Sequence, residues 1–471
     1  MGTARRPVAR RFAPRRCAAL TALAAFVSVP TAIAQPDGDP GDDLDHSFGI
    51  EAKAHFRDTD EARFPVPFPF APIQLPVGDT RGFIEAVDPG GHAEVSTVSL
   101  WYRGAWDLGG VDDGMAAKVK VDLIDRYDRN PTSEDDEFDV DEAWIRFGTE
   151  VEPGDTHEGW SGYVKVGKMP KFERQDDRHL ESYGLVSTAF NRMEDVGVEV
   201  GFDLGRHFYM KASYTDGNPL FFRDPNALAG DNGISIFDGS VPNPDPELKT
   251  GIPILYDADI AVQDVTFDEP EVGLGLGVRF GSDDGNTALD VLAWGYERDL
   301  KDTVEFEGTF YGGDLDLLLG PLNLFPPPAI SGVEKSEWGL NIWLYHGGFS
   351  FFGQYVDQEV ANLPRTGYEV EVAWDFELPW RWTAFGRQLF PWIAPAVRFS
   401  RIEPEFAVNR LFPAPSIRWE WDKVDVGVRL GLVEGLDLTA EYAANDFVRA
   451  GRTESADEML VTLRWEWQRD F

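Results

Sequence analysis

Charged residues in this chain recur at every second position between apolar neighbours, and charges spaced that way can sort ions and small solutes by their field. Lys118, Lys120 and Asp122 alternate with Ala117, Val119, Val121 and Leu123, while Glu142 and Arg146 have the opposite parity to Ile145 and Phe147. Lys165 sits between Val164 and Val166, Glu199 between Val198 and Val200, and Lys211 between Met210 and Ala212. Arg279, Glu369, Glu371, Arg398, Arg429, Glu441, Arg464 and Glu466 follow the same rule. A period of two belongs to extended strands whose two faces meet different surroundings. An Arg or Lys facing hydrocarbon at mid-depth costs about 2–4 kcal/mol, so the whole set must look together into one aqueous interior. Lining water, these groups form a charged constriction; facing each other across strands, they neutralise one another in a plugged or solvated interior.

The elements that position such residues are legible in the last strand. Met459, Val461, Leu463, Trp465, Trp467 and Phe471 share one face, and Thr462, Arg464, Glu466, Gln468 and Asp470 share the other. A greasy face ending in aromatics fits the closing strand of a transmembrane barrel better than a strand buried in a soluble core. The same alternation marks sixteen strands, at about 47–56, 95–108, 115–125, 139–149, 159–168, 195–203, 207–216, 271–281, 286–297, 336–346, 349–358, 367–377, 392–402, 416–432, 436–447 and 457–471. Connections alternate between long segments and turns such as Gly347-Gly348 and Glu434-Gly435. The Trp-rich stretch 378–391 is too long for a turn, and the strand at 416–432 changes phase near Asp422-Lys423, which indicates a bulge or two strands. The expected fold is therefore all-β, an antiparallel transmembrane barrel of sixteen strands within a range of fourteen to eighteen.

Sixteen strands leave an aqueous channel rather than a packed interior. In the mature chain no run of eighteen or more apolar residues supplies a membrane helix, and a chain without one can still cross a bilayer when every amide pairs within a closed sheet. The 15 Trp, 33 Phe and 47 Gly suit interfacial girdles, lipid-facing walls and tight turns.

Residues 1–34 have the parts of a cleaved export signal: Arg5, Arg6, Arg10, Arg11, Arg15 and Arg16 without an acid, an apolar run from Cys17 to Val29, and Ala32-Ile33-Ala34. Residues 35–46 read as an acidic linker and 47–471 as the barrel, which gives the outer membrane of a Gram-negative cell as the expected location. Cys17 is the only cysteine, so the mature chain has neither disulfides nor thiolate metal sites. A net charge of −39 makes nucleic acid an improbable partner. The acidic clusters Asp42-Asp43, Asp112-Asp113, Glu134 to Glu137 and Asp283-Asp284 lack EF-hand spacing and read as solvated loop charge, although they could bridge lipopolysaccharide through divalent cations. The proline-rich segments at Phe64 to Pro72 and Leu324 to Pro328 cannot pair as central strands. None of the seven His residues sits in a recognisable catalytic or metal-ligand context, so neither metal, cofactor nor catalysis is expected.

A family resemblance enters at residues 160–203. The run Gly162-Tyr163-Val164-Lys165-Val166-Gly167-Lys168-Met169-Pro170-Lys171-Phe172, then Leu180-Glu181-Ser182, then Asn191-Arg192-Met193-Glu194-Asp195-Val196-Gly197-Val198, resembles the phosphate- and pyrophosphate-selective porins. The resemblance implies a homotrimer of sixteen-stranded barrels whose third outer loop folds into the lumen. It would place Lys168, Lys171, Arg174, Asp176, Asp177 and Arg178 on that loop near the constriction. It also implies that Phe471, with Trp465 and Trp467, forms a signal read by the barrel assembly machinery. Phosphate selectivity would need a dense basic ladder, whereas here the luminal bases alternate with Glu142, Glu199, Glu369, Glu371, Glu441 and Glu466. The expected function is passive diffusion of ions and small hydrophilic solutes, including anionic, phosphate-like ones. An outer-membrane enzyme, or an adhesin working through its long loops with a blocked lumen, is the alternative.

Overall fold

The computed structural model describes residues 46–60, 62–65, 83–87, 90–108, 111–125, 139–151, 153, 159–175, 178–182, 184–190, 194–218, 220–222, 234–235, 253–257, 265–282, 285–300, 304–308, 334–384, 386–405, 420–449 and 452–471. The expected leader, most of the linker, Asp176, Asp177, three of the four acidic clusters and the proline run at 324–328 lie outside them.

Sixteen antiparallel strands close into one ring. They are β1 (His46–Thr59), β2 (Gly90–Leu108), β3 (Val111–Asp125), β4 (Asp139–Gly148), β5 (Trp160–Met169), β6 (Asp195–Leu204), β7 (Phe208–Thr215) and β8 (Glu271–Gly281), followed by β9 (Thr287–Asp299) and β10 (Glu334–His346). The rest are β11 (Phe349–Val360), β12 (Leu363–Trp374), β13 (Trp392–Pro404), β14 (Glu420–Val433), β15 (Leu436–Arg449) and β16 (Arg452–Asp470). Each pairs with its neighbours in sequence, and β1 pairs with β16 from Ser47↔Asp470 to Thr59↔Glu458, which removes the last free edges.

Parity then sets the two faces. Val119, Ile145, Phe147, Val164, Leu274 and Leu276 are exposed on the outside, whereas Asp122, Glu142, Arg146, Lys165, Arg279 and Arg398 are buried inside. So large an apolar belt on an isolated chain marks a surface meant for a non-aqueous medium. At one end the strands join by tight turns in which Gly205, Gly347 and Gly435 adopt positive φ of 76°, 57° and 73°.

Some expectations need correction. The phase change assigned to Asp422-Lys423 is absent: Trp421, Lys423 and Asp425 all face inward, and the bulge lies between Gly431 and Val433. Trp421 obscured the pattern because it is a luminal aromatic, packed on Phe447 at 5.0 Å. Asp112-Asp113 belong to β3 rather than to a loop, since Leu108 already pairs with Val111. Pro65 ends a short strand, Ala62–Pro65, at the edge of a three-stranded sheet, where the missing amide proton costs no ladder bond. The stretch 378–391, too long for a turn, holds a small hairpin of Thr383–Ala384 and Arg387–Gln388.

Val164 on β5 faces outward and pairs with Val200 in the middle of the wall. Val164→Lys should therefore cost about 2–4 kcal/mol in reversible unfolding from lipid bilayers. An unchanged stability would reverse the assignment of faces.

Candidate functional site

The connection between β5 and β6, the third of the long ones, turns into the lumen. Its first residues are tied to β8, β9 and β10. Lys171 forms an ion pair with Glu271, which also takes Lys335 at 2.5 Å, and the Lys171 ammonium lies 4.5 Å over the Tyr296 ring. Glu173 accepts the Tyr296 hydroxyl at 2.5 Å, and its carbonyl accepts the Asn341 amide at 2.6 Å. Farther along, the His179 N–H donates to Glu371 at 3.0 Å on β12, and Arg398 on β13 donates to the Ser182 hydroxyl at 2.8 Å. Glu441 on β15 accepts the Glu181 and Ser182 amides, the latter at 3.0 Å, and the Glu181 carboxylate pairs with Lys53 on β1 at 2.8 Å. The segment ends in a single helical turn, Leu185–Ala189, where the Ala189 carbonyl accepts from Arg365.

Apolar contacts fix it as well. A Cβ at Gly367 on β12 would lie 2.6 Å from the Phe190 ring, and one at Gly427 on β14 would lie 2.6 Å from Leu180 Cδ2. Gly275 on β8 takes Phe172 in the same way, at 2.9 Å. Inward-facing glycines thus act as seats for side chains of the segment, because only a missing Cβ lets the ring or branch reach the wall. A second inward fold comes from the turn end, where Glu150 takes Lys165 at 2.8 Å and Lys211 at 3.2 Å, and the Val151 carbonyl accepts from Arg279 at 3.1 Å.

These insertions fill the lumen unevenly. Where the inward segment packs on β8 to β14 the charges are sealed, with side-chain exposure of 1% at Glu271 and 0% at Glu337, Arg398 and Asp425, whereas toward the turn end Arg429 keeps 15% and lines a cavity with His179, Asp375 and Glu377. Against β16, β1 and β3 exposure rises to 20% at Arg464, 22% at Lys53, 30% at Lys118, 27% at Lys120 and 37% at Glu466. The accessible strip is mixed in sign. Lys118 meets Glu142 at 2.7 Å, Lys120 meets Asp141 at 2.5 Å, and Arg464 meets Glu51 at 2.7 Å and Glu466 at 2.9 Å. Arg174, 30% exposed and paired with Glu194, brings a cation from the inward segment toward Lys120.

The sequence-derived residues therefore divide. Lys118, Lys120, Glu142, Arg174 and Arg464 border the accessible strip, with Asp122 buried 3.8 Å from Lys120. Arg146 and Lys165 are buried around Glu150, and Arg279 is locked between Asp203 and Asp290, each at 3.0 Å. Lys171 is buried as an anchor of the segment, and Arg178 lies within electrostatic reach of Glu369 and Glu371. Arg429 is bidentate to Asp437 at 2.9 Å near the turn end, beneath Trp392. Lys168 needs correction: it is the penultimate residue of β5, shares the parity of Val164 and Val166, and donates to the Val140 carbonyl at 2.6 Å. At the closing strand, Trp467 and Phe471 are exposed and Trp465 half-buried; the His46 ring stacks on Phe471 at 5.9 Å.

Sequence reasoning assigned no role to Glu51, Lys53, Glu150, Glu181 or the glycine seats. Glu51, Lys53, His55 and Arg57 share one parity, and Gly273, Gly275 and Gly277 recur at every second residue, so both signals were present. Burial raises the Glu181 carboxyl, yet Lys53, Arg464 and Arg429 more than reverse this and hold it at about 2. Among the described residues no helix is long and apolar enough to cross a membrane, and no group of His, Cys, Asp and Glu is arranged to hold a metal ion.

No protein-family model and no curated protein matches this chain. Among solved structures it is similar to the outer membrane channel DcaP of Acinetobacter baumannii, with 10% identity, 92% of this chain and 100% of that one covered, and a TM-score of 0.49. OprB of Pseudomonas putida gives 10% identity, 90% and 94% coverage and a TM-score of 0.49. An anion-selective porin from Comamonas acidovorans gives 12%, 90% and 100% coverage, and 0.44.

Gly367→Ala or Gly427→Ala should unseat the inward segment, costing about 1–3 kcal/mol of stability and adding open-channel noise in planar bilayers. A quiet, unchanged open level in both would show that the seats do not hold it. A carboxyl lowered from the usual 4.5 to about 2 contributes stability that is complete above the higher value and lost as pH falls through the lower. The Glu181–Lys53 tie should thus keep conductance steady from about pH 7 to about pH 4. A step in that window would assign control of the segment to another group.

Proposed function

We propose that this protein is an outer-membrane porin, a passive water-filled channel for ions and small hydrophilic solutes. The observation that carries this reading is the unevenly filled lumen: charges are sealed where the inward segment packs on β8 to β14 but accessible along β16, β1 and β3. Ionic side chains left partly exposed inside a barrel with an apolar outer wall need water around them, and a strip of them is a path for solutes. The inward segment narrows that path and supplies Arg174 to it.

Selectivity follows from the pairing. Lys53, Lys118, Lys120 and Arg464 each have a carboxylate partner within 2.9 Å, so the field along the strip is largely compensated. Weak charge selectivity is the expected result, and a phosphate-like solute would have to displace Glu142 or Asp141 to engage the lysines. Homotrimeric assembly, lipopolysaccharide contact at the outer rim and recognition of Trp465, Trp467 and Phe471 by the assembly machinery belong to the same reading. So does export through a cleaved leader.

Single-channel recording in planar bilayers tests it. Stable conductance steps are expected; a folded barrel that never conducts would favour an adhesin or an enzyme with a blocked lumen. Lys118→Glu with Lys120→Glu should shift the reversal potential in a salt gradient toward cations, whereas Lys165→Glu should shift it far less because Lys165 is buried under Glu150. Equal shifts would move the path to the β5 side.

A further inference from the structure

The β12–β13 connection is unlike the tight turns at Gly205, Gly347 and Gly435. Phe376–Glu377 continues the pairing of β12 with Ile393 and Trp392, and the chain then forms its own hairpin, with Leu378 N–H to the Pro391 carbonyl at 2.9 Å and Leu389 N–H to the Trp382 carbonyl at 2.7 Å. Two bonds lay it along the rim beside the β14–β15 turn: Phe390 N–H to the Leu432 carbonyl at 3.0 Å and Arg387 Nη1 to the Glu434 carbonyl at 3.3 Å.

Its chemistry contrasts with the rest of the chain. Against 82 acids and 43 bases overall, residues 378–391 contain Arg381 and Arg387 and no acid. Trp380 and Trp382 are 46% and 59% exposed and stack on each other at 5.3 Å. Trp374 and Phe376, also exposed, stack at 5.5 Å, and Trp374 shares the outward parity of Val372, so the aromatic surface is continuous with the apolar wall. Both arginines are exposed.

We propose that hairpin 378–391 is a binding site for anionic phospholipid in the leaflet at the turn end of the barrel. Trp380 and Trp382 lie at headgroup depth, where an indole has an apolar side and a wet side. Arg381 and Arg387 receive lipid phosphates, which match the guanidinium fork. Past the exposed Asp375 and Glu377, the two arginines are the only charges of residues 378–391, so the hairpin itself selects an anionic surface and repels the same hairpin of a second copy. The proposal rests on the reading of the barrel as membrane-spanning.

The test folds the full barrel into phosphatidylcholine vesicles with and without phosphatidylglycerol, using brominated acyl chains to quench indole fluorescence. Difference measurements against Trp380→Phe with Trp382→Phe isolate the hairpin. Its quenching is expected to be about twofold stronger by brominated phosphatidylglycerol than by brominated phosphatidylcholine, and Arg381→Gln with Arg387→Gln should equalise the two without altering conductance. Equal quenching in the unsubstituted protein would overturn the site. Hairpin indoles reached by aqueous iodide and not by lipid, or a change in oligomer size in the tryptophan variant, would also overturn it in favour of a protein partner or a second copy. Trp338, 54% exposed on the outward face of β10, separates the two levels of failure. If Trp338→Phe removes no lipid quenching, the membrane-spanning reading fails; if it does and the hairpin stays silent, only the lipid site fails.

Discussion

Everything in this barrel depends on pairing every strand amide within one closed ring. The register between β1 and β16 leaves no edge to be hydrated, which is the condition for a sheet to sit in hydrocarbon. Closure also fixes parity around the circumference. A one-residue slip in any strand would turn its lysines and glutamates outward and its valines inward, so the charge pattern and the hydrogen-bond register enforce each other.

Placing so many charges inside creates a second requirement, because an ion removed from water must be compensated. The protein answers differently on the two sides of the lumen. From β8 to β14 the inward segment displaces water, and Glu271 bridges Lys171 to Lys335 while Arg398 joins Glu371, Asp425 and Ser182. Along β16, β1 and β3 the segment touches the wall through Glu181 on Lys53, and the ion pairs there stay partly exposed. Ion pairs with the wall and glycine seats for Phe172, Leu180 and Phe190 together decide which side is sealed.

The strand count and the faces were legible in the sequence, while the inward turn of the third long connection was implied only by the family resemblance. Alternation is a local property, and lipid and lumen impose it on every strand independently. The phase change read near Asp422-Lys423 has a related cause: a luminal aromatic such as Trp421 breaks the apolar-outward pattern until its partner Phe447 is seen. Lys168 was misplaced because a motif carries a position but not the residue at which a strand ends. Which charges border water could not be read at all, since Lys118 and Lys165 look alike in sequence, and only the fold puts Glu150 over one of them.

By itself, then, the sequence determined the barrel, its inner and outer faces and the mixed charge of its interior, because these follow from the period of a strand between two media. The tertiary structure alone decided where that interior is open. Sealing depends on contacts between residues far apart in the chain, such as Lys171 with Glu271 and Arg398 with Ser182, and no local pattern records them.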